Sequence, residues 1–304
     1  MRSGMVRVTV PGSTANLGPG FDSLGMALPL YTRMEMRPSK QTRVILNSPS
    51  LEGLPEDKSN LVCQMIEYIC RKAGETAPEL EISMESDIPL TRGLGSSAAA
   101  IVGGLLLGNA CLPQPFSEDA IFQMATRIEG HPDNVAASLF GGLVVTAWDG
   151  EKAFVQKLQP PERLCVTVAV PSFQLSTERA RNVLPKSYSR KDVVFNLSHT
   201  ALLVAAMAAG SYEGIRHAMK DCLHQPYRMA LVPGMKKILL QGSEHGALGC
   251  ALSGAGPTVL AFSEGRSEEL ERFMEQTFLQ EGIQVQVMRF SPLMEGAAIE
   301  EETA

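Results

Sequence analysis

The residues that most restrict what this chain can fold into are Pro89-Leu-Thr-Arg-Gly93-Leu-Gly95-Ser96-Ser97-Ala98-Ala99-Ala100. They follow a stretch in which Leu80, Ile82 and Met84 alternate with Glu79, Glu81, Ser83 and Glu85, the pattern of a half-buried strand. They open a run of small and apolar residues, Ala98 to about Leu107, that reads as a helix. Gly93 and Gly95 permit backbone angles closed to other residues and let a ligand approach the main chain. The helix start offers unpaired N–H groups and partial positive charge, so a phosphate chain fits here. Ser96 and Ser97 add hydroxyls. No Gly-Lys-Ser/Thr follows, which excludes a Walker A loop. Gly93-x-Gly95-x-x-Ala98 satisfies the dinucleotide pattern, but the acids about twenty positions on, Glu118 and Asp119, sit at a helix start, which argues against a nicotinamide site. Taken alone, the segment also reads as a plain turn into a core helix.

Two further segments shift that balance. Pro11-Gly-Ser13-Thr14-Ala-Asn16-Leu-Gly18-Pro-Gly20-Phe-Asp22-Ser-Leu-Gly25 follows a strand at Val6–Val10 and reads as a loop of small polar groups with one carboxylate. Ala251-Leu-Ser253-Gly254-Ala-Gly256-Pro-Thr258 precedes a late strand. Singly, each reads as a hairpin turn. Three such turns beside strand ends fit a phosphorylated ligand better, because sites concentrate on loops held by a rigid scaffold.

The chain's 304 residues suit two domains or one large one. Further strands are expected at Leu143–Ala147, Leu164–Val170, Thr258–Phe262 and Ile283–Val287. One helix, capped by Ser59 or Asn60, carries the stripe Leu61, Met65, Ile66, Ile69; another runs from the cap Ser117, with a Phe116–Ile121 staple, to Gly130. Val193–Ala209, the most apolar helix candidate, reads as a core element. Strands separated by helices make the chain α/β or α+β, and Gln159-Pro160-Pro161-Glu162 marks the expected boundary. A net charge of −6 without basic runs argues against nucleic acid. No uncharged apolar stretch reaches the ~18 residues of a membrane span, and Met1–Val10 lacks a secretory core. Six scattered cysteines without a C-x-x-C pair point to a reduced cytoplasm; Cys63 and Cys70, seven apart on a helix, suit core packing.

Pro89–Ala99 resembles the phosphate loop of the GHMP kinases, and Ser253-Gly-Ala-Gly-Pro-Thr258 resembles their C-terminal glycine motif. Ser-Thr-Ala-Asn16-Leu-Gly-Pro-Gly-Phe-Asp22 takes the form seen in homoserine kinases, where galactokinases and mevalonate kinases carry Gly-Glu-His. Glu129-Gly-His131-Pro-Asp133-Asn134, followed by Leu-Phe-Gly-Gly142, points the same way. The resemblance implies an α+β, two-domain fold: a ribosomal-S5-like ATP-binding domain over residues 1–158 and a ferredoxin-like domain over 159–304, with the site between them. It implies ATP-dependent phosphorylation of the L-homoserine side-chain hydroxyl, on the route to threonine. The alternatives are a kinase of this fold for a mevalonate-like or sugar alcohol, and a non-catalytic ligand sensor.

The resemblance also distributes roles. Pro89, Leu90, Thr91, Arg92, Gly93, Leu94, Gly95, Ser96, Ser97, Ala98 and Ala99 would hold ATP. With no P-loop lysine, Mg²⁺ must supply much of the charge neutralisation, with Ser97 and Glu129 as candidate ligands. Homoserine is a zwitterion, so its pocket should offer a cation, an acid and amides. Thr177-x-x-x-Arg181 and Pro226-Tyr-Arg228 match the family's substrate arginine segments; Asn16, Asp22, His131, Asp133, Asn134 and Gly254 fall on substrate positions. Asn16, Asp22, Asp133 and Arg181 are the expected catalytic set, acting by positioning more than by proton abstraction. Without the family, Glu129 reads as a solvated helix-end acid, the arginines as surface residues, and Asp133 or Asn134 as a helix cap. The partner expected is a small molecule, with a homodimer as the default assembly.

Overall fold

The computed structural model describes residues 5–301; Met1–Gly4, part of the stretch read for a secretory signal, lie outside it. The first sheet is built from β1 (Val6–Asn16), β2 (Gly20–Pro38), β3 (Arg43–Leu46), β4 (Leu80–Ser86), β5 (Leu143–Trp148) and β6 (Ala153–Leu158). β2 is long enough to pair with β1 along most of its length, with β4 through Thr32–Pro38 and with β5 through Leu24–Met26. Four helices accompany it: α1 (Leu61–Lys72), α2 (Ser96–Ala110), α3 (Glu118–Glu129) and α4 (Asp133–Phe140).

α2 is buried almost all round, which explains its small residues. A Cβ on Gly103 would lie 2.0 Å from Met34 Cε, and one on Gly104 would lie 2.7 Å from Met65 Cβ. Close approach of α1 and β2 therefore outweighs the ~1 kcal/mol that a mid-helix glycine costs. Asn60 caps α1 by accepting from Val62 N, and Ser117 caps α3 by accepting from Ala120 N. Cys63 and Cys70 face the core from α1, where burial pushes the Cys63 thiol up to about 11.

The second unit comprises β7 (Leu164–Pro171), α5 (Thr177–Asn182), α6 (Arg190–Ala209), α7 (Tyr212–Ala218), α8 (Gln225–Arg228), α9 (Met235–Gln241), β8 (Gly249–Leu252), β9 (Val259–Glu264), α10 (Glu268–Gln280) and β10 (Val285–Phe290). Its antiparallel sheet has the order β10-β7-β9-β8, the ferredoxin-like arrangement. The Pro160-Pro161 segment lies between β6 and β7, where the chain leaves one sheet for the other. The tail then crosses back: Leu293 exchanges backbone hydrogen bonds with Ala27 and Gly142, and β11 (Ala298–Glu301) pairs with β1. A division placing all of 159–304 in the second unit therefore omits this return.

Two expectations are corrected. The segment read as a loop after Val10 is strand as far as Asn16, a turn of three residues, and strand again from Gly20. Bulges at Pro11/Gly12 and Ala15/Asn16 absorb the glycine and proline that looked like loop punctuation. The other concerns Val193–Ala209, which is helical but not a core element. Of α6 only Asn196, Leu203, Ala206 and Met207 are buried. By length and composition α6 is long and apolar enough to cross a membrane.

Candidate active site

The three glycine-containing turns meet. The carbonyl of Ala15, at the end of β1, accepts from Gly254 N, and Leu94 O in the 89–97 turn accepts from Ser13 N. Ser253 Oγ donates to Gly93 O at 2.6 Å, and Asn16 Nδ2 donates to Gly254 O at 2.9 Å. The β8–β9 connection is thus a hairpin turn and a wall of the site at once. Gly93, at φ +74°, has no room for a side chain: a Cβ would lie 2.3 Å from Ser253 O. A Cβ on Gly95, at φ +75°, would lie 2.1 Å from Ser13 Oγ.

Between these turns lies a partly open cavity, lined from both the Gly93–Ser97 turn and the Asn16–Asp22 turn. Among the described residues, four non-glycine residues have positive φ: Asn16, Leu17, Asp22 and Thr91. Three of them, Asn16, Asp22 and Thr91, line this cavity. Strained backbone gathered in one place is a mark of a working site.

On the phosphate side, Gly95 precedes α2, whose first turn closes when Ala99 N donates to Gly95 O. The N–H groups of Ser96, Ser97 and Ala98 consequently have no intrahelical acceptor. Ser96 and Ser97 line the cavity, as do Thr91, Gly93 and Gly95. Ser97 Oγ donates to Glu129 Oε2 at 2.8 Å. Glu129 is not a solvated helix-end acid: its side chain is 14% exposed and faces the cavity from the C-terminus of α3. A carboxylate there opposes the dipole of α3 but accepts from Ser97 at the positive N-terminus of α2. Pro89, Leu90, Arg92, Leu94, Ala98 and Ala99 are not among the lining residues. Leu94, Ala98 and Ala99 are buried in the core, while Arg92 turns to donate to Ser172 O at 2.6 Å.

The opposite side holds the charged groups. Arg181, on α5, donates from both terminal nitrogens to Asp22 at 3.0 and 2.7 Å. His131 Nδ1 lies 2.6 Å from Asp133 Oδ1, and its Nε2 lies 3.9 Å from Glu129 Oε1. Burial by itself would lower His131, but the Asp133 hydrogen bond and the charges of Asp133, Glu129 and Asp22 outweigh it and hold the imidazole above its ordinary value. Asp133 also accepts from Asn134 N, and Asn134 Oδ1 accepts from Ser13 Oγ. Asn16 has both amide ends engaged, since its Oδ1 accepts from Asp22 N, and it therefore fixes the strained turn. Thr177, at the start of α5, lines the cavity too.

Arg228 is not a surface arginine. It is 1% exposed and donates from Nε to Ala180 O and from Nη1 to Gly254 O and His224 Nδ1. Among the described residues Nη2 has no hydrogen-bond partner, and Arg228 lines the cavity. Burial first, and Arg181 second, bring Arg228 down to about 10, still a cation near neutrality.

Two residues given no role by sequence support the site, Phe21 from the cavity wall and His224 from behind it. His224 is fully buried and meets Gly18 O through Nε2 at 2.8 Å. Arginine only donates, so His224 Nδ1 must accept from Arg228 and the proton sits on Nε2, directed at Gly18. Burial holds this imidazole below its ordinary value, in keeping with a neutral ring. Phe21 stacks on His224 at 5.1 Å and lies under both Arg181 and Arg228. The signals for them were Phe21 beside Asp22, and His224 four residues before Arg228 on one helical turn.

Asp22, His131 and Asp133 hold ligand-type atoms within 4.8 Å of one another. A cation there would have to displace Arg181 from Asp22 and His131 from Asp133. Ser97 and Glu129 offer two hard oxygen donors without that cost, and they suit Mg²⁺ better.

Residues 60–142 match the GHMP kinases N-terminal domain and residues 203–280 the GHMP kinases C-terminal domain. The chain is 46% identical over 295 residues to homoserine kinase of Deinococcus radiodurans, covering 96% of each chain. It is 41% identical to that of Moorella thermoacetica, covering 97% of this chain and all of the relative. The crystal structure of homoserine kinase from Cytophaga hutchinsonii superposes with a TM-score of 0.87 at 28% identity, covering 99% of this chain and 98% of that one. With full-length likeness, both domains and a cavity walled by the three turns, the chain belongs to the homoserine kinase family of the GHMP kinases.

Proposed function

We propose that this enzyme transfers the γ-phosphoryl group of ATP to the side-chain hydroxyl of L-homoserine, giving ADP and O-phospho-L-homoserine, in threonine biosynthesis. The observation that carries the reading is the Asp22–Arg181 ion pair within the same cavity as the Gly93–Ser97 turn. Homoserine carries an ammonium, a carboxylate and, two carbons away, a hydroxyl. In this reading Asp22 takes the ammonium, while Arg181 and the unpartnered Nη2 of Arg228 take the carboxylate. One protein ion pair is thereby exchanged for two with the substrate, which leaves no charge unpaired.

The amides of Ser96, Ser97 and Ala98 point at the terminal phosphates, and the close packing at Gly93 and Gly95 keeps them fixed. Ser97 and Glu129 would hold Mg²⁺, which would supply charge neutralisation for the transferring phosphoryl group. The hydroxyl oxygen bonds to phosphorus, the bond to the ADP oxygen breaks, and the hydroxyl proton leaves to solvent. Asp22 is engaged by Arg181, and Asp133 by His131 and Asn134. Neither stands open as a base, which supports positioning over proton abstraction for Asn16, Asp22, Asp133 and Arg181. Acidic charge and scattered cysteines favour a cytoplasmic enzyme with no nucleic-acid or membrane partner, and a homodimer is the default assembly.

The test is ADP release from Mg-ATP with a panel of hydroxyl compounds, followed by ³¹P NMR of the product. Turnover with L-homoserine and a phosphomonoester resonance on its side-chain oxygen are expected. Turnover confined to mevalonate-like or sugar alcohols, or none with any alcohol, would replace the reading with another kinase or a ligand sensor.

A further inference from the structure

One side chain of the phosphate turn faces away from the phosphates. Arg92 is absent from the cavity lining, and its Nη2 crosses to the second unit to donate to Ser172 O. The turn itself does not need that side chain. Leu94 O accepts from Ser13 N, Gly93 O from Ser253 Oγ, and Arg92 O from Thr258 N. Its holds are therefore main-chain carbonyls, together with the close packing at Gly93 and Gly95. Nη1 of Arg92 is buried and has no hydrogen-bond partner among the described residues. A buried donor without an acceptor costs stability, and burial also lowers this guanidinium from its ordinary value. An arginine retained at such a cost, in a turn that does not depend on it, acts elsewhere.

Ser172 follows β7 and opens the connection to α5, which carries Thr177 and Arg181. With six residues, α5 is too short to hold a direction of its own. Its position rests on outside ties. From α8, Arg228 Nε donates to Ala180 O, and Arg181 is joined to Asp22. Ahead of α5, Thr91 O accepts from Leu175 N at 3.3 Å, and Arg92 holds Ser172 O at 2.6 Å. Thr91 pays for its contact with a φ of +52°, an outlier for a β-branched residue. The Asp22 tie is the one that homoserine takes over, because Arg181 then turns to the carboxylate and Asp22 to the ammonium. With substrate bound, the ties ahead of α5 carry more of its position.

We propose that Arg92 is a positioning residue for the amino-acid half of the site: from within the phosphate turn it fixes the connection Ser172–Ser176, and so the place where Arg181 meets the substrate carboxylate. The role in homoserine binding rests on the proposed activity, whereas the hold of Arg92 on α5 is independent of it. A contact to ATP, expected of Arg92 from the resemblance, makes the opposite prediction for the two substrates.

Arg92→Met retains an unbranched side chain and removes the donor. The KM for homoserine should rise roughly tenfold or more, the scale of a slightly misplaced binding group, with the ATP KM unchanged. The urea midpoint should be equal or higher, because the orphaned N–H is gone and Ser172, an exposed residue, can offer its carbonyl to water. Arg92→Lys should recover most of the homoserine KM, since Ser172 O uses a single donor. Hydrogen exchange of the substrate-free enzyme, followed by mass spectrometry, should be faster across residues 175–182 in Arg92→Met and unchanged across 94–99. A raised ATP KM, both KM values unaltered, a lysine variant as impaired as the methionine one, a lowered urea midpoint, or unaltered exchange across 175–182 would overturn the proposal. The exchange readout involves neither homoserine nor ATP. A wild-type enzyme inactive with homoserine would therefore refute the proposed activity, while the hold on α5 would still be decided.

Discussion

Replacing Gly93 with alanine tests whether the turns must pack backbone to backbone. The residue sits at φ +74°, where a side chain costs about 1–2 kcal/mol. The new Cβ would also lie 2.3 Å from Ser253 O and 3.0 Å from both Gly256 N and Gly256 O. These are main-chain atoms and cannot swing aside, so an overpacking cost of about 1–3 kcal/mol is added. Gly93→Ala should therefore lose roughly 2–5 kcal/mol of stability. Gly53→Ala is the matched control: its φ is +86° and nothing lies within 4 Å of the added carbon. It should lose about 1–2 kcal/mol from backbone strain alone. Urea denaturation of both variants, with the KM for ATP measured in parallel, separates the two costs. Gly93→Ala should raise the ATP KM at least tenfold, and Gly53→Ala should leave it unchanged. Equal destabilisation, with an unaltered ATP KM in both, would refute the packing argument.

Three further outcomes follow from the same geometry. Arg181→Ala should cost about 1.5–3 kcal/mol, the value of a charged hydrogen bond, in kcat/KM for homoserine, towards the lower end because the side chain is partly in water, and leave the ATP KM unchanged; Arg228→Ala should also lower the urea midpoint, because it strands the carbonyl of Ala180 and Nδ1 of His224, both buried. Glu129→Gln retains the size of the side chain but not its charge, and Mg²⁺ titrations of activity should shift by about tenfold or more. His131 binds its proton more tightly folded than unfolded, so its stabilising contribution is complete below the ordinary histidine value and is lost as pH rises through the raised one. The destabilisation measured for His131→Gln should accordingly be larger at pH 6 than at pH 9, and equal losses at both would contradict the Asp133 pairing.

The phosphate turn was legible because its cause is local: glycines, serines and a following run of alanines specify a turn and a crowded helix wherever they occur. The convergence of the three turns was legible only as a pattern, since contacts such as Ser253 Oγ to Gly93 O join residues 160 positions apart. The stretch after Val10 was misjudged because Pro11, Gly12 and Gly18 look like punctuation, whereas pairing with β2 overrides local preference. α6 was misjudged for the opposite reason. Apolar composition records that a face leaves water but not what covers it, and Leu197 and Val194 remain outside the fold of one chain. His224 and Phe21 escaped because their roles lie in what they hold, Gly18 and the two arginines, and adjacency to Asp22 or a four-residue interval to Arg228 signals a neighbour without saying what is held.

The most direct check is a crystal structure of the enzyme with L-homoserine, Mg²⁺ and a non-hydrolysable ATP analogue. The terminal phosphate should rest on the amides of Ser96 and Ser97, with the amino acid's hydroxyl oxygen at near-attack distance, roughly 3–3.5 Å from its phosphorus, and the amino-acid end between Asp22 and Arg181. A triphosphate bound away from the Gly93–Ser97 turn, or homoserine held outside the reach of Arg181 and Arg228, would contradict the account.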